Sequence, residues 1–441
     1  MTRSRSGDEG RSGGARLQRI LWAVALGLLG LWAARTMVGD VYRVESASML
    51  PTLGSERAGG ELVLVTYDRS PPERFEMVVL FRDASNVPEV KRVVGLPRES
   101  LRLRHGELWI DGQPYSEPGT RSPWIPIFGP DNAVEEHFAM ERGDGDSQGV
   151  GGEVRPWTRS DEGWQLAALD VPMGSARGLM RHHKGLHDGY LGGEGEVVQG
   201  SGEAGDGRIR VDVGLGELAQ GGGRLRLGLL KAGDTFELVV ELAQVAPPPP
   251  PANGGPSVPS VDTADGAEGA AGDLLQARIS LTQRWTEEVV LEEQVLFLRR
   301  DAELALSLEL HNRYLRGALR ADSGAEAILA TRVTEVHAHP LTRRGEAQGE
   351  RRTYGAHPWL GGEGLAATFN NIRVDRGLAW TSRGSVGVHG PVLLGPDEIF
   401  VLGDNSRVSR DSREWGAVPL TAVLGRPRAV IYPPGAMRRL P

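Results

Sequence analysis

Ser48 lies in the octet Ser46-Ala47-Ser48-Met49-Leu50-Pro51-Thr52-Leu53, and Lys91 follows in Val90-Lys91-Arg92-Val93-Val94-Gly95-Leu96-Pro97. A serine hydroxyl is a weak nucleophile until a base takes its proton. No histidine stands in or beside these strings, so the base the sequence offers is the lysine. A lysine acts as a base only when neutral, and burial disfavours its charged form. Val90, Val93, Val94 and Leu96 suit that burial. Acyl transfer also needs donors for a tetrahedral oxyanion, and the Ser48 backbone N–H and the Ser46 hydroxyl are the natural candidates. Pro51 fixes the chain direction after the nucleophile. A third string runs from Gly403 to Gly416, Gly-Asp-Asn-Ser-Arg-Val-Ser-Arg-Asp-Ser-Arg-Glu-Trp-Gly. In it Ser409 is a candidate to orient the lysine amine, as a third group orients the base in other triads. Asp411 and Arg413 are expected to pair and fix the loop.

These side chains need a scaffold, and the hydrophobic pattern predicts a mainly β one. Glu61 to Val65, Met77 to Phe81, Glu398 to Leu402 and Arg428 to Tyr432 read as strands, rich in β-branched and apolar residues. Leu101 to Arg104 and Glu107 to Ile110, followed by Asp111-Gly112, read as a hairpin. Between about 118 and 390 the chain alternates apolar and polar residues with period two. Ile209, Val211, Val213 and Leu215 form one such row, Leu225, Leu227 and Leu229 a second, and Leu304 to Leu310 a third. Evenly spaced rows of this kind predict an antiparallel β-sandwich or jelly roll. Pro247 to Pro251 begins a low-complexity stretch (about 246–272), a linker between two strands of that sandwich. The expected organisation is a cytoplasmic N-terminus (1–16), a transmembrane helix (17–38), a first catalytic part (41–116), the insert (118–390) and a second catalytic part (391–441).

The transmembrane helix is read from the unbroken apolar run Ile20 to Ala34, extended by Leu17 and by Thr36-Met37-Val38. Such a helix spans roughly 30 Å, with Trp22 and Trp32 near the interfaces. Arginines before the run place the N-terminus in the cytoplasm and the rest outside the membrane. A cleaved leader is the competing reading. A net charge of −8 argues against nucleic acid as a partner, and the lack of cysteine excludes disulfides, thiolate metal sites and a cysteine nucleophile. His183 and His187 would share a helix face, but Gly185 weakens that helix and no Glu completes a metal motif. They are read as structural or surface histidines, and no metal and no cofactor is expected.

The three strings, in this order after an apolar segment, resemble the bacterial type I signal peptidase family. Ser48 to Thr52 match its Ser-Met-x-Pro-Thr box, Lys91 to Pro97 its lysine box, and Gly403 to Gly416 its third box. The resemblance implies Ser48 as nucleophile, Lys91 as general base, Ser46 as oxyanion donor and Ser409 as orienter of the lysine, with Asp411 and Arg413 in support. It also implies exported preproteins as substrates, cut after small-x-small (Ala-x-Ala-like) sequences at the outer face of the cell's inner membrane. Shallow pockets lined by Val44 and Val79 are expected to hold the small residues. Glu45, Arg98-Glu99 and Ser406-Arg407-Val408 depart from the family pattern without removing a catalytic group. Two other readings stay open: a Ser-Lys protease with few clients, and an anchored surface-binding protein whose peptidase part is degenerate. No motif names a ligand for the insert.

Overall fold

A computed structural model describes residues 39–440 except 55–59, 82–86, 105, 116–122, 130–133, 141–156, 162, 169–177, 183–184, 192–196, 199, 201–202, 246–273, 337–354 and 382, together with residues 21–27 and 30. The described residues are mainly β, as expected. Residues 21–27 and 30 are helical, and the rest of the expected span 17–38 lies outside the described residues. No helix among the described residues is long and apolar enough to cross a membrane. The expected linker 246–272 likewise lies outside them.

The chain divides into two compact units, one of residues 1–99 and 393–441 and one of residues 100–392. The first holds an eight-stranded sheet in the order Gly39–Val44, Glu61–Thr66, Val423–Tyr432, Met77–Phe81, Pro88–Gly95, Glu398–Leu402, Val418–Pro419, with Arg438–Arg439 added beside Val423–Tyr432. All these pairings are antiparallel. Met77–Phe81 is apolar on both faces because both are covered. Met77 and Val79 pack with Val44, Met49, Leu53, Val63 and Val65, whereas Val78 and Leu80 pack with Val93, Ile399, Val401 and Val418.

The second unit contains two large antiparallel sheets. One runs Trp157–Ser160, Gly163–Ala167, Leu365–Arg376, Gly207–Leu218, Glu303–His311, Tyr314–Ala321, Glu326–Arg332, with Ile125–Phe128 beside Leu365–Arg376. The other runs Glu288–Arg299, Leu274–Arg284, Asp234–Gln244, Gly223–Lys231, His357–Glu363, Leu179–His182, Phe138–Met140. Their inward rows, including Ile209, Val211 and Val213 from one sheet and Leu225, Leu227 and Leu229 from the other, share one apolar core. That makes the unit a β-sandwich. The strands on either side of the low-complexity stretch, Asp234–Gln244 and Leu274–Arg284, are direct neighbours in register. Two-residue turns take left-handed backbone at Asp111-Gly112 and at Asn312-Arg313, as the twist of tight hairpins demands.

Glu107, in the hairpin Ser100–Arg104/Glu107–Ile110, belongs to this second unit. Its carboxylate accepts from Lys231 Nζ at 2.9 Å and from Arg313 Nη2 at 3.0 Å. Burial alone would raise its pKa, but the charges of Lys231 and Arg313 outweigh burial and pull it from 4.5 to about 2. A folded-state value below the unfolded one stabilises the fold above the unfolded value, and that stability is lost as pH falls through the folded one. Glu107→Gln is therefore expected to cost on the order of 3 kcal/mol at pH 7. The gap from wild type should close between about pH 4.5 and 2. Denaturant midpoints of both chains at pH 7, 4 and 2.5 check this; a gap that does not shrink with pH assigns the role to packing instead.

Candidate active site

The nucleophile loop is short and well tied. Ala47–Met49 forms one 3-10 turn, closed by Leu50 N–H donating to the Ala47 carbonyl at 3.2 Å. Leu53 N–H then donates to the Met49 carbonyl at 2.9 Å. Met49 and Leu53 are buried, which anchors the turn and leaves Ser46 and Ser48 toward solvent. The two hydroxyls lie 3.1 Å apart. On the far side, Thr52 donates to the Asp404 carboxylate and the Thr52 carbonyl accepts from Arg438. Glu61 binds both Arg438 and the Gly54 N–H, so the C-terminal residues brace the loop.

Lys91 sits in Pro88–Gly95 opposite Val78 of the neighbouring strand. The side chain is 3 % exposed, and Nζ lies 3.2 Å from Ser48 Oγ. Glu89, two residues earlier on the same strand, places Oε2 at 3.2 Å from the same nitrogen and is 28 % exposed.

The third string closes over the serine from behind. Asn405 N–H donates to the Ser48 carbonyl at 3.0 Å. Gly403 lies so close that a Cβ there would collide with Ser409 Oγ and the Ser48 carbonyl, which is why only glycine fits. Asp411 accepts from Gly403 N–H at 3.1 Å and forms a two-pronged ion pair with Arg413, at 2.8 Å and 2.7 Å. Arg413 in turn holds the Ser406 hydroxyl and carbonyl. Arg92 binds Asp404 through two bonds of 2.7 Å and 2.6 Å and also donates to the Phe75 carbonyl.

The structure therefore brings Ser46, Ser48 and Lys91 together and sets the Asp411–Arg413 pair behind Gly403. Ser409 is buried beside Gly403, and its hydroxyl has no hydrogen-bond partner among the described residues. Among the described residues the polar contacts of Lys91 Nζ are Ser48 and Glu89. Val44 and Val79, expected to line pockets, are 7 % and 1 % exposed and belong to the apolar cluster around Met49. They can form only a floor. Of the histidines, His182 is buried against Phe138, with ring centroids 5.3 Å apart. His187 pairs through its backbone with Glu203, and His183 lies outside the described residues. No group of three His, Asp or Glu among the described residues is placed to hold a metal ion.

Sequence reading missed Glu89, Thr52, Asp404 and Ser406. Only Glu89 carried a local signal: on a strand, residues i and i+2 point to the same face, so a carboxylate two places before a candidate base stands beside it.

A serine hydroxyl held against a buried lysine amine, on an antiparallel β scaffold, is an arrangement suited to acyl transfer without histidine. The chain matches the family described as signal peptidase, peptidase S26, over residues 17–143 and 366–432. It is 36% identical over 98 residues to signal peptidase I of Streptococcus pneumoniae, covering 22% of this chain and 46% of that protein. It is 33% identical over 120 residues to signal peptidase I of Bacillus licheniformis, covering 27% and 61%. Signal peptidase I of Leptolyngbya laminosa is 30% identical over 116 residues, covering 24% and 56%. The chain thus spans about half the length of the curated relatives it matches. Over these residues it is similar to type I signal peptidases.

Proposed function

We propose that this chain is a serine endopeptidase that removes signal peptides from exported preproteins by a Ser48–Lys91 dyad. The observation that carries the reading is the 3.2 Å approach of Lys91 Nζ, 3 % exposed, to Ser48 Oγ. Ser48 Oγ attacks the scissile carbonyl while neutral Lys91 takes its proton. The oxyanion is met by the Ser48 N–H and the Ser46 hydroxyl. Lys91 then gives the proton to the leaving amine, and the acyl group stays on Ser48. In the second half Lys91 draws a proton from water, which attacks the ester, and returns that proton to Ser48 Oγ as the ester bond breaks.

Ser409 is the group available to turn the lysine amine toward Ser48, and Asp411 with Arg413 stiffens the loop that carries it. Every one of these residues lies in the unit of residues 1–99 and 393–441. The catalytic role is therefore assigned to that unit, and the large insert is not required for the bond-breaking step. A small-x-small preference fits a floor made by Val44 and Val79, which leaves little depth for larger side chains. Residues 17–38 serve as a single membrane anchor with the N-terminus inside, which puts the site on the outer face where preproteins emerge.

The test is cleavage of a purified preprotein with an Ala-x-Ala site by the full chain in detergent, beside Ser48→Ala. Wild type is expected to cut after the second alanine and Ser48→Ala to leave the preprotein intact. An inactive wild type, or an active Ser48→Ala, sinks the proposal.

A further inference from the structure

Glu288–Arg299 is the outermost strand of its sheet. One edge pairs with Leu274–Arg284, and the other pairs with no strand among the described residues. Its 12 residues span about 40 Å. A sheet edge of that length offers backbone donors and acceptors to any strand that fits it. Two acids, Glu287 and Glu288, open the run, and two arginines, Arg299 and Arg300, close it. Between them Val289, Val290, Val295 and Phe297 stand exposed. Of the acids in the middle, Glu293 lies 3.9 Å from Arg278 of the neighbouring strand. The pairing with that strand shifts by one at Leu291, since Leu281 stands opposite Glu292 and Thr282 opposite Val290. Residues opposite one another share a face. Glu288, Val290, Val295, Phe297 and Arg299 therefore form one face of the strand, and Val289, Gln294 and Leu298 belong to the other.

We propose that two copies of this chain join edge to edge through Glu288–Arg299, antiparallel, about a two-fold axis at Gln294, so that one sheet runs across the dimer. The inference goes beyond the peptidase reading and does not depend on it. The occupant is a second copy because the strand is complementary to its own reversal. With Gln294 facing itself across the axis, Val290 of each copy meets Phe297 of the other and Val289 meets Leu298. Glu287 meets Arg300, and Glu288 meets Arg299, which also holds Asp301 within its own copy. Each pair within the strand joins side chains of one face, because the extra residue Leu291 drops out of the register in both copies. Other registers fail. A slip of one residue sets apolar side chains on opposite faces, and a slip of two sets Glu293 on Glu293 or Val290 on Arg299. Such an interface uses the same patch on both subunits and therefore closes at two.

The experiment measures the mass of the full chain in detergent by light scattering over a dilution series. Wild type is expected to be a dimer that dissociates on dilution. Glu287→Arg and Arg300→Glu, both at exposed positions, each set like charges on each other twice per dimer. Each is expected to raise the dissociation midpoint about tenfold. The double variant restores opposite charges and should return the midpoint to that of wild type. Cross-linking reads the register, and the chain has no cysteine of its own to confuse it. Gln294→Cys brings two thiols directly opposite, about 5 Å apart between Cα atoms, and is expected to form an interchain disulfide. Val295→Cys leaves them about 7–8 Å apart, beyond the usual reach of a disulfide, and is expected to stay reduced. A wild type that stays monomeric overturns the proposal. So does a dimer indifferent to both charge reversals, or one in which Val295→Cys cross-links as fast as Gln294→Cys. A Gln294→Cys chain that cross-links to an added cysteine-bearing preprotein in place of its own copy gives the edge to substrate and overturns it too.

Discussion

Lys91→Ala is expected to lower kcat for preprotein cleavage by about a thousandfold or more while leaving the fold in place. The side chain fills a site opposite Val78, and among the described residues its polar contacts are Ser48 and Glu89. Removing it leaves no buried charge behind, because Glu89 is partly exposed and water can solvate its carboxylate. The loss therefore falls on the chemistry. Without a base the Ser48 proton must leave to water, and the residual rate is what the oxyanion donors and substrate binding supply. Binding of the substrate strand does not need the amine, so KM should change little. Lys91→Arg is expected to be just as inactive, since guanidinium stays charged at any working pH. Steady-state kinetics with a preprotein, beside thermal melts of each variant, check this. A Lys91→Ala chain with a tenth or more of wild-type kcat would remove Lys91 from the mechanism.

Asp404→Ala is expected to be the most destabilising single change in the catalytic unit. Asp404 is fully buried and takes both prongs of Arg92, itself 1 % exposed, together with the Thr52 hydroxyl. Among the described residues, truncation leaves a buried guanidinium with the Phe75 carbonyl as its remaining acceptor. Breaking one side of such a pair costs about 3–5 kcal/mol, much of it the penalty of the stranded charge. That is a large share of the stability of an ordinary domain. The Ser48 loop also loses its tie at Thr52, so activity should fall in the fraction that remains folded. Replacing both partners, Arg92→Met with Asp404→Leu, removes the stranded charge and is expected to cost less than Asp404→Ala alone. Chemical denaturation of the single and double variants decides it. A double variant worse than Asp404→Ala would mean that the pair contributes attraction beyond its own desolvation.

Local chemistry made much of this legible beforehand. Period-two alternation marked the strands because a strand turns successive side chains to opposite faces, and one buried face demands apolar residues at every second place. Ile209, Val211 and Val213 are such a row, and they point into the sandwich core. Met77–Phe81 kept its bounds for the opposite reason: both faces are covered, so the whole run is apolar. Val44 and Val79 show the limit of the same pattern. Apolar residues near a nucleophile read equally as pocket or as core, and only packing tells which. Here they lie within the cluster that seats Met49.

Residue identity alone determined which groups have the chemistry: a serine in a proline-bounded turn, a lysine in an apolar strand, and a glycine-led polar loop far along the chain. Tertiary structure decided which of them meet. Strand Glu398–Leu402 pairs with Pro88–Gly95, and that one pairing brings Asp404 to Arg92 and the Gly403 loop to the Ser48 carbonyl. Their separation in sequence, 312 residues for Arg92 and Asp404, leaves no periodic trace to read. It also decided that the lysine rests against Glu89, while the Ser409 hydroxyl has no hydrogen-bond partner among the described residues. Charge balance around a buried amine depends on distances of a few ångströms in three dimensions, because Coulomb attraction and desolvation both vary steeply on that scale.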